Sequence, residues 1–192
     1  MRHEIKTERL VLRPIEDTDA KAISLLGSDL DIARMTSAIP HPYPIMSAEF
    51  FILIDRENRR RGLSYNYAIT RNHDNALIGI AGLFRRSPDA ALELGFWIGK
   101  PFWSLGYATE ACSALLSEAK EQLGVTRIIA GVFVDNPLSL KVLTKLGFKS
   151  LGTYENWFSM ARMEKAKGVN LCLNFSSIAQ NTPLQEYKKA AM

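Results

Sequence analysis

Small residues at a predicted strand-to-helix turn carry the clearest chemical signal in the sequence. Gly106, Ala108 and Thr109 fall where the chain enters the helix, and no bulky side chain stands at Gly106 or Ala108. The first N–H groups of a helix have no intrahelical acceptor, and the helix dipole adds partial positive charge there. A turn of this kind lets an anion approach the main chain closely. The sequence therefore predicts a diphosphate site at this turn.

Three polar side chains outside the turn could also take part in chemistry. Glu93 is a carboxylate in an otherwise apolar strand, and burial beside Trp97 would raise its proton affinity toward that of a general base. The alternative for Glu93 is a structural carboxylate that faces water. Asn136 precedes Pro137 and is a predicted helix N-cap. Ser139 offers a hydroxyl that can donate a hydrogen bond.

The turn and its flanking residues resemble the GNAT superfamily of acyl-CoA-dependent N-acyltransferases. Gly106-Tyr107-Ala108 fits the second half of the family's pyrophosphate signature, Gln/Arg-x-x-Gly-x-Gly/Ala. The longer run from Trp103 to Ala111 resembles the branch of ribosomal-protein-alanine N-acetyltransferases (RimJ/RimL-like). Ser104 and Leu105 stand where a small residue and a basic or polar one are usual, so backbone donors would have to carry the phosphate contacts.

Two further segments extend the resemblance along the chain. Residues 7–14 read Thr-Glu-Arg-Leu-Val-Leu-Arg-Pro, which is similar to the opening of the same branch. Asn136-x-x-Ser139 and Lys145-Leu146-Gly147-Phe148 resemble the closing element of the family. The resemblance thus covers residues 7 to about 155.

The resemblance implies a fold and a cosubstrate. The fold is mixed α/β, with a central twisted mixed sheet that splays at the acyl-CoA site and carries helices on both faces. The cosubstrate is acetyl-CoA, and no metal is expected. The implied cofactor-binding residues are Phe96, Trp97, Ile98, Trp103, Ser104, Leu105, Gly106, Tyr107, Ala108, Thr109, Asn136, Ser139 and Lys145.

The resemblance also implies a mechanism. An N-acetyltransferase of this kind passes the acetyl group directly from the thioester to a primary amine. The N–H of Ile98 would polarise the thioester carbonyl, and Glu93 would take the proton of the amine directly or through water. Many relatives have a Tyr where this chain has Leu143. Ser139 would therefore act as the hydrogen-bond donor to the leaving sulfur, or contact the cofactor alone.

The acceptor is open to several interpretations. The ribosomal-protein branch suggests a protein N-terminal amine. A small amine, such as a polyamine or an aminoglycoside, is one alternative, and a regulatory module that holds acyl-CoA without turnover is another. In the family the connection between the first helices lies over the acceptor, so His41 and Tyr43 are candidate substrate-binding residues, unless their segment is a surface loop without a role. A homodimer is common in the resembled branch.

Composition and charge limit the other classes. The chain has 192 residues, 47% hydrophobic and 23% charged, which predicts one globular domain over residues 1–176 and a polar C-terminal tail over 177–192. The net charge of +4 suits an anionic cofactor. Arg59–Arg61 ends a predicted helix without interleaved aromatic residues, so nucleic-acid binding is not expected. Without an apolar run of membrane-spanning length or a signal-peptide core, the expected location is cytoplasmic.

The predicted elements place these residues in order. Strands are predicted at residues 64–70, 76–84, 91–98 and 127–134, with a helix from residue 106 to about 123 joining the last two as a parallel crossover. A helix at residues 47–58 is expected to bury Phe50, Phe51 and Ile54. Glu118 is expected on the solvent-facing side of the later helix.

Overall fold

The computed structural model describes residues 1–85 and 90–175, which form one eight-stranded sheet with helices packed on it. The strands are β1 Ile5–Lys6, β2 Leu10–Pro14, β3 Ser64–Arg71, β4 Leu77–Phe84, β5 Leu92–Ile98, β6 Arg127–Phe133, β7 Lys149–Ser159 and β8 Glu164–Asn174. The α-helices are α1 Ala20–Gly27, α2 Leu30–Ala33, α3 Ile45–Arg60, α4 Tyr107–Leu123 and α5 Pro137–Lys145. The predicted mixed α/β fold class is confirmed.

The sheet divides where β5 and β6 diverge. Its order is β1-β2-β3-β4-β5-β6-β8-β7, and among the described strands β5 and β6 are the one parallel pair. β5 pairs with β4 along its length, but with β6 at two positions, Leu92 with Ile128 and Glu93 with Ile129. Beyond Glu93 the two strands separate. This confirms the predicted splay and opens a gap beside the C-terminal half of β5.

Each face of the sheet carries its own apolar core. On one face α4 buries Ala111 and Leu115 against side chains that include Leu94 of β5. On the other face Ile23 of α1 and Ile52 of α3 pack together above β3 and β4. A fully buried aliphatic side chain contributes about 1.5–3 kcal/mol, so both layers hold the helices in place.

The face that α3 turns to the core differs from the prediction. Ile52 and Asp55 are buried, Phe51 is half-buried, and Phe50 and Ile54 are exposed, so the predicted inward face is wrong. The buried position of Asp55 has a physical cause. Its carboxylate accepts hydrogen bonds of 2.5 and 2.7 Å from two side chains of β3, which replace the water that it loses.

Glu118 is a second correction. Instead of facing solvent, it lies on the buried side of α4 with 3% of its surface exposed. Its carboxylate accepts a hydrogen bond from the Arg2 N–H (2.6 Å) and lies 3.4 Å from the Arg2 side chain. A carboxylate tolerates burial when such partners accompany it. The N-terminal segment therefore closes over α4.

Two further expectations concern the ends of the chain. The predicted polar tail, residues 177–192, lies outside the described residues, and the predicted domain, 1–176, reaches their C-terminal edge. Within the described ranges, no helix has the length and apolar character needed to cross a bilayer.

Substitutions on α3 test which of its faces is buried. We expect Ile52→Ala to lower the free energy of unfolding by about 2–4 kcal/mol, because a side chain that is 1% exposed would leave a cavity. Phe50→Ala on the same helix is the control. Because Phe50 is 61% exposed, its loss should change the free energy by less than about 1 kcal/mol. Chemical denaturation measures both, and a larger loss for Phe50→Ala would contradict the structure.

Candidate functional site

The N-terminus of α4 forms the turn that the sequence singled out. Gly106 is the N-cap and has a left-handed φ of 84°, which glycine adopts without strain. Ser104 also has a positive φ, 61°, so the chain reverses sharply before the helix begins. No side chain of the described residues caps this end of α4. The first N–H groups of the helix are therefore open to an external anion.

The N-terminal strands brace this turn. Arg9 donates hydrogen bonds to the Leu105 carbonyl (3.0 Å) and the Glu110 carboxylate (2.7 Å), and its guanidinium lies over the Tyr107 ring. Thr7 Oγ1 donates to the other carboxylate oxygen of Glu110 (2.6 Å). Partial burial alone would raise the pKa of Glu110, but these hydrogen bonds outweigh burial and lower it. The opening segment, residues 7–14, and the turn at Gly106 therefore form one structural unit.

A cavity of about 280 Å³, here called the helix-end cavity, lies against the turn. Its walls come from α2, the end of β5, the start of α4 and one side of α5. It is lined by Phe96, Trp97, Ile98, Trp103, Ser104, Gly106, Tyr107, Ala108, Thr109, Asn136, Ser139 and Lys145. The structure thus brings together every predicted cofactor-binding residue except Leu105. The Leu105 side chain is exposed, and its carbonyl accepts the hydrogen bond from Arg9.

The end of β5 presents main-chain groups to the gap between β5 and β6. Ile98 is paired with Gly79 of β4, and the next residue, Gly99, donates its N–H to a β4 carbonyl (2.7 Å). In an antiparallel ladder this makes Ile98–Gly79 a non-hydrogen-bonded pair, so the Ile98 N–H points away from β4. By the same alternation the Phe96 N–H points the same way. The Ile98 carbonyl is occupied, because it accepts a hydrogen bond from Trp103 Nε1 (2.5 Å). The main-chain donors that face the gap are therefore the N–H groups of Phe96 and Ile98.

The helix α5 forms the wall opposite β5. Asn136 caps it as predicted, because its Oδ1 accepts a hydrogen bond from the Ser139 N–H (3.1 Å). Leu143, the position where relatives have a Tyr, is 1% exposed and packs in the core. Lys141 lines the cavity and was missed by sequence reasoning. Its spacing of one helical turn from Lys145 is the signal that could have found it.

Residues 31–36, which comprise most of α2 and the chain that follows it, form the roof of the helix-end cavity. Asp31, Ile32, Met35 and Thr36 line the cavity, and none of them was predicted. Lys100 binds Asp31 with an ion pair of 2.7 Å, which fixes α2 to the loop before α4. The pair lowers the pKa of Asp31 and raises that of Lys100. No local pattern marks this contact, because the two residues are 69 positions apart.

Glu93 lies in a second cavity of about 800 Å³ on the other face of the sheet. This hairpin cavity is bounded by β5, β6 and the β7–β8 hairpin. Trp157, which sequence reasoning missed, approaches Glu93: the place where a Cβ on Gly131 would stand is 2.9 Å from the Trp157 ring and 3.5 Å from Glu93 Oε1. The predicted catalytic residues, Glu93 and Ser139, therefore lie in neighbouring cavities on opposite sides of the β5–β6 gap.

An arginine in the β7–β8 turn joins the hairpin to the roof. Arg162 donates to the Arg34 carbonyl (2.6 Å) and, through two nitrogens, to the Asp135 carboxylate (2.9 and 3.0 Å). Ser159 Oγ donates to the Thr36 carbonyl (3.0 Å). These bonds hold the chain just after α2, where the two cavities meet.

The two predicted substrate-binding residues lie outside the lining of both cavities. Tyr43 is 6% exposed and packs with Ile23 and Ile52, and this burial raises its pKa to about 12. Its carbonyl accepts a hydrogen bond from Ser28 Oγ (3.1 Å). The structure thus gives Tyr43 a packing role, and its role in substrate binding stays a prediction. His41 is exposed on the same segment, and its role stays a prediction.

Metal and thiol chemistry have few candidate residues. Among the described residues, no group of three or more His, Cys, Asp or Glu side chains could hold a metal ion. Cys112 and Cys172 are buried free thiols. Burial raises the pKa of Cys112, which disfavours a thiolate nucleophile at that position.

Comparisons with known proteins agree with one another. A family model described as an acetyltransferase (GNAT) domain matches residues 9–149. YoaA of Bacillus subtilis, an uncharacterized N-acetyltransferase, is 31% identical over 157 residues, which are 80% of this chain and 86% of YoaA. A GNAT-family acetyltransferase from Bacillus anthracis has a similar structure, with a TM-score of 0.76 at 22% identity over 89% of this chain and 98% of its own. RimL, a ribosomal L7/L12 alpha-N-protein acetyltransferase in complex with coenzyme A, gives a TM-score of 0.77 at 16% identity over 89% and 97%.

Replacing Asp135 tests the contact between the hairpin and the roof. Hydrogen bonds from Arg162 lower the pKa of Asp135. A carboxylate with a lowered folded pKa stabilises the fold above its unfolded pKa of about 4, and this contribution is lost as the pH falls through the folded pKa. We expect Asp135→Asn to lower the free energy of unfolding near neutral pH by about 1 kcal/mol, a small value because the side chain is 46% exposed. Urea denaturation should show the difference from wild type shrinking below about pH 4.

Asp17→Asn is the control for this experiment. Asp17 pairs with Arg56, but both side chains are more than half exposed, so we expect a smaller effect. A difference between Asp135→Asn and wild type that stays the same from neutral to acidic pH would contradict the assignment.

Proposed function

Because this chain belongs to the GNAT acetyltransferase family, we propose that it is an acetyl-CoA-dependent N-acetyltransferase that acetylates a primary amine. One observation carries the proposal: the open N-terminus of α4 meets the C-terminal half of β5, which is not paired with β6, at the helix-end cavity. Together they offer a place for the phosphates and a main-chain edge for the acyl-carrying arm of the cosubstrate.

Acetyl-CoA suits the helix-end cavity in both charge and hydrogen bonding. Its diphosphate would accept hydrogen bonds from the N–H groups of Tyr107, Ala108 and Thr109 at the start of α4. Lys141 and Lys145 line the same cavity and would add positive charge. The pantetheine arm carries amides that can pair with the free edge of β5 as an added strand does.

The reaction then needs no acyl-enzyme. The thioester lies in the gap, where the N–H of Ile98 or of Phe96 donates to its carbonyl oxygen. The neutral amine attacks the carbonyl carbon, the C–N bond forms, and the C–S bond breaks. The Ser139 hydroxyl donates a hydrogen bond to the departing sulfur, and the proton that the amine gives up reaches this sulfur through water, which leaves an amide and a thiol. Glu93 is about 10 Å along β5 from Phe96, so it receives the proton of the amine through water.

The acceptor enters from the hairpin cavity, where Glu93 lies. A protein N-terminal amine is the first candidate, because RimL, which has a similar fold, acts on one. A small amine is the second candidate. It is favoured by Glu93 and Glu155, two carboxylates that line a cavity large enough for a small molecule.

Release of free thiol from acetyl-CoA tests the activity directly. Wild-type protein is mixed with acetyl-CoA and a panel of peptide amines and small amines. We expect thiol release that depends on the acceptor. Tight acetyl-CoA binding with no release for any amine would favour the regulatory module instead.

Substitutions of Gly106 test the diphosphate site. Asp and Asn have nearly the same size, and both tolerate a left-handed φ. Only Asp adds a negative charge where the diphosphate would bind. We therefore expect Gly106→Asp to weaken acetyl-CoA binding by about tenfold or more, and Gly106→Asn to weaken it much less, as measured by calorimetry.

Gly124→Asp is the matched control. Gly124 ends the same helix with a φ of 61°, and nothing lies within 4 Å of the place where its Cβ would stand. The substitution brings the same charge and similar backbone strain to the far end of α4. An equal loss of affinity in Gly124→Asp, or full affinity in Gly106→Asp, would refute the diphosphate site.

Glu93→Gln tests the general base. We expect kcat to fall by about 100-fold, because Gln cannot take up the proton of the amine, while the affinity for acetyl-CoA is unchanged. Glu57→Gln, on the exposed side of α3, removes the same charge outside both cavities and should leave kcat unchanged. Steady-state kinetics with a saturating acceptor measures both variants. An unchanged kcat in Glu93→Gln would remove this role from Glu93.

A further inference from the structure

We infer that the acceptor of this enzyme carries a second positive charge besides the amine that is acetylated, and that Trp157 and Glu155 bind this charge. The inference rests on the proposed function and concerns the acceptor side of the same site. It follows from how the floor of the hairpin cavity is built.

Trp157 forms that floor because two glycines leave room for its ring. A Cβ on Gly168 would stand 2.0 Å from the Trp157 ring, and one on Gly131 would stand 2.9 Å from it. Phe133 supports the ring from the side, with 6.0 Å between centroids and 60° between planes. Arg162 lies over Phe133 in turn, 4.8 Å from its centroid. The half-buried indole is therefore held against the sheet beside the cavity.

Glu155 presents a carboxylate next to this ring. It accepts hydrogen bonds from Trp157 Nε1 (3.2 Å) and Asn170 Nδ2 (2.8 Å), which hold the carboxylate at the edge of the indole ring. An ionised carboxylate has lone pairs for further donors, and Glu155 is exposed to the cavity. An aromatic ring beside a carboxylate binds an ammonium or guanidinium by cation–π attraction and ion pairing.

The carboxylates of Glu93 and Glu155 are far enough apart to bind two different positive charges of the acceptor. Glu93 is on β5 and Glu155 is on β7, three strand spacings or about 14 Å apart at the main chain. Trp157 is also on β7, and its ring extends over Gly168 and Gly131 toward Glu93. Glu93 serves the reacting amine, so Glu155 is left for a cation farther along the acceptor. Arg127, the one cation among the described residues that line this cavity, is about 13 Å along β6 from Gly131 and the indole.

Acceptors matched in size test the inference. One pair is diaminooctane and aminooctane, which are long enough to extend from the reacting amine toward Glu155, and the other is two peptides that differ in a Lys or a Gln after the N-terminal residue. We expect the wild-type kcat/KM to be about tenfold higher for the doubly charged member of at least one pair, mostly through KM. The pair that shows the preference tells whether the second charge belongs to a small diamine or to a peptide side chain. Equal values within both pairs would overturn the inference.

Variants assign this preference to the two residues. Glu155→Gln should bring the ratio of kcat/KM within the preferred pair to about one, since the ion pair is lost. Trp157→Phe should keep most of the ratio and Trp157→Leu should lose it, because Phe keeps an aromatic face and Leu keeps only bulk. Glu164→Gln, exposed on the same hairpin but outside the cavity lining, is the matched control and should keep the ratio. A preference that survives Glu155→Gln would overturn the assignment.

A binding measurement separates this inference from the proposed function. Diaminooctane is titrated into wild type and into Trp157→Phe, and the difference in tryptophan fluorescence reports occupancy of the hairpin cavity without turnover. If no amine is acetylated, the proposed function fails. Quenching in wild type that is lost in Glu155→Gln would still support the cation site, whereas no quenching at all would overturn it.

Discussion

The separation of β5 from β6 is the constraint on which the whole site depends. β5 is held by β4 along its length and β6 is held by β8 along its own, so the two strands can part without either becoming loose. The N–H groups of Phe96 and Ile98 that face the gap would cost free energy if they were buried without a partner. A ligand that carries amide and carbonyl groups removes that cost. The gap between β5 and β6 thus provides a free strand edge to which a ligand can bind.

Side chains from distant parts of the chain keep the rim of this gap in place. Arg9 and Glu110 join the first strands to the α4 turn, and Arg162 and Asp135 join the β7–β8 turn to the chain before α5. Partly exposed ion pairs of this kind contribute little to global stability one at a time. Their importance is local, because each acts where regular sheet or helix contacts end. They fix loops that the cores on the two faces of the sheet leave unsupported.

Local patterns predicted the parts of the fold that depend on neighbours in sequence. Gly106 marks the turn into α4 and Asn136 marks a helix start, whatever the rest of the chain does. The buried face of α3 could not be read in this way, because Asp55 is buried only through donors that β3 supplies. The floor of the hairpin cavity was missed for a similar reason. The Trp157 ring extends toward Glu93 across two intervening strands, and no spacing along the chain records that the two residues are near each other.

The two sides of the gap are built from different kinds of group, and this decides what family membership can tell about the chain. On the α4 side the donors are main-chain N–H groups, so Leu105 can replace a polar residue while these donors stay in position. On the side of the hairpin cavity the groups are side chains, among them Glu93 and Trp157, which come from separate segments. One substitution there changes recognition without disturbing the fold. The family model ends at residue 149, where β7 begins, so the shared pattern stops before the hairpin that forms much of the wall of the hairpin cavity. The acceptor that we propose for this cavity therefore has to be derived from the side chains of that hairpin.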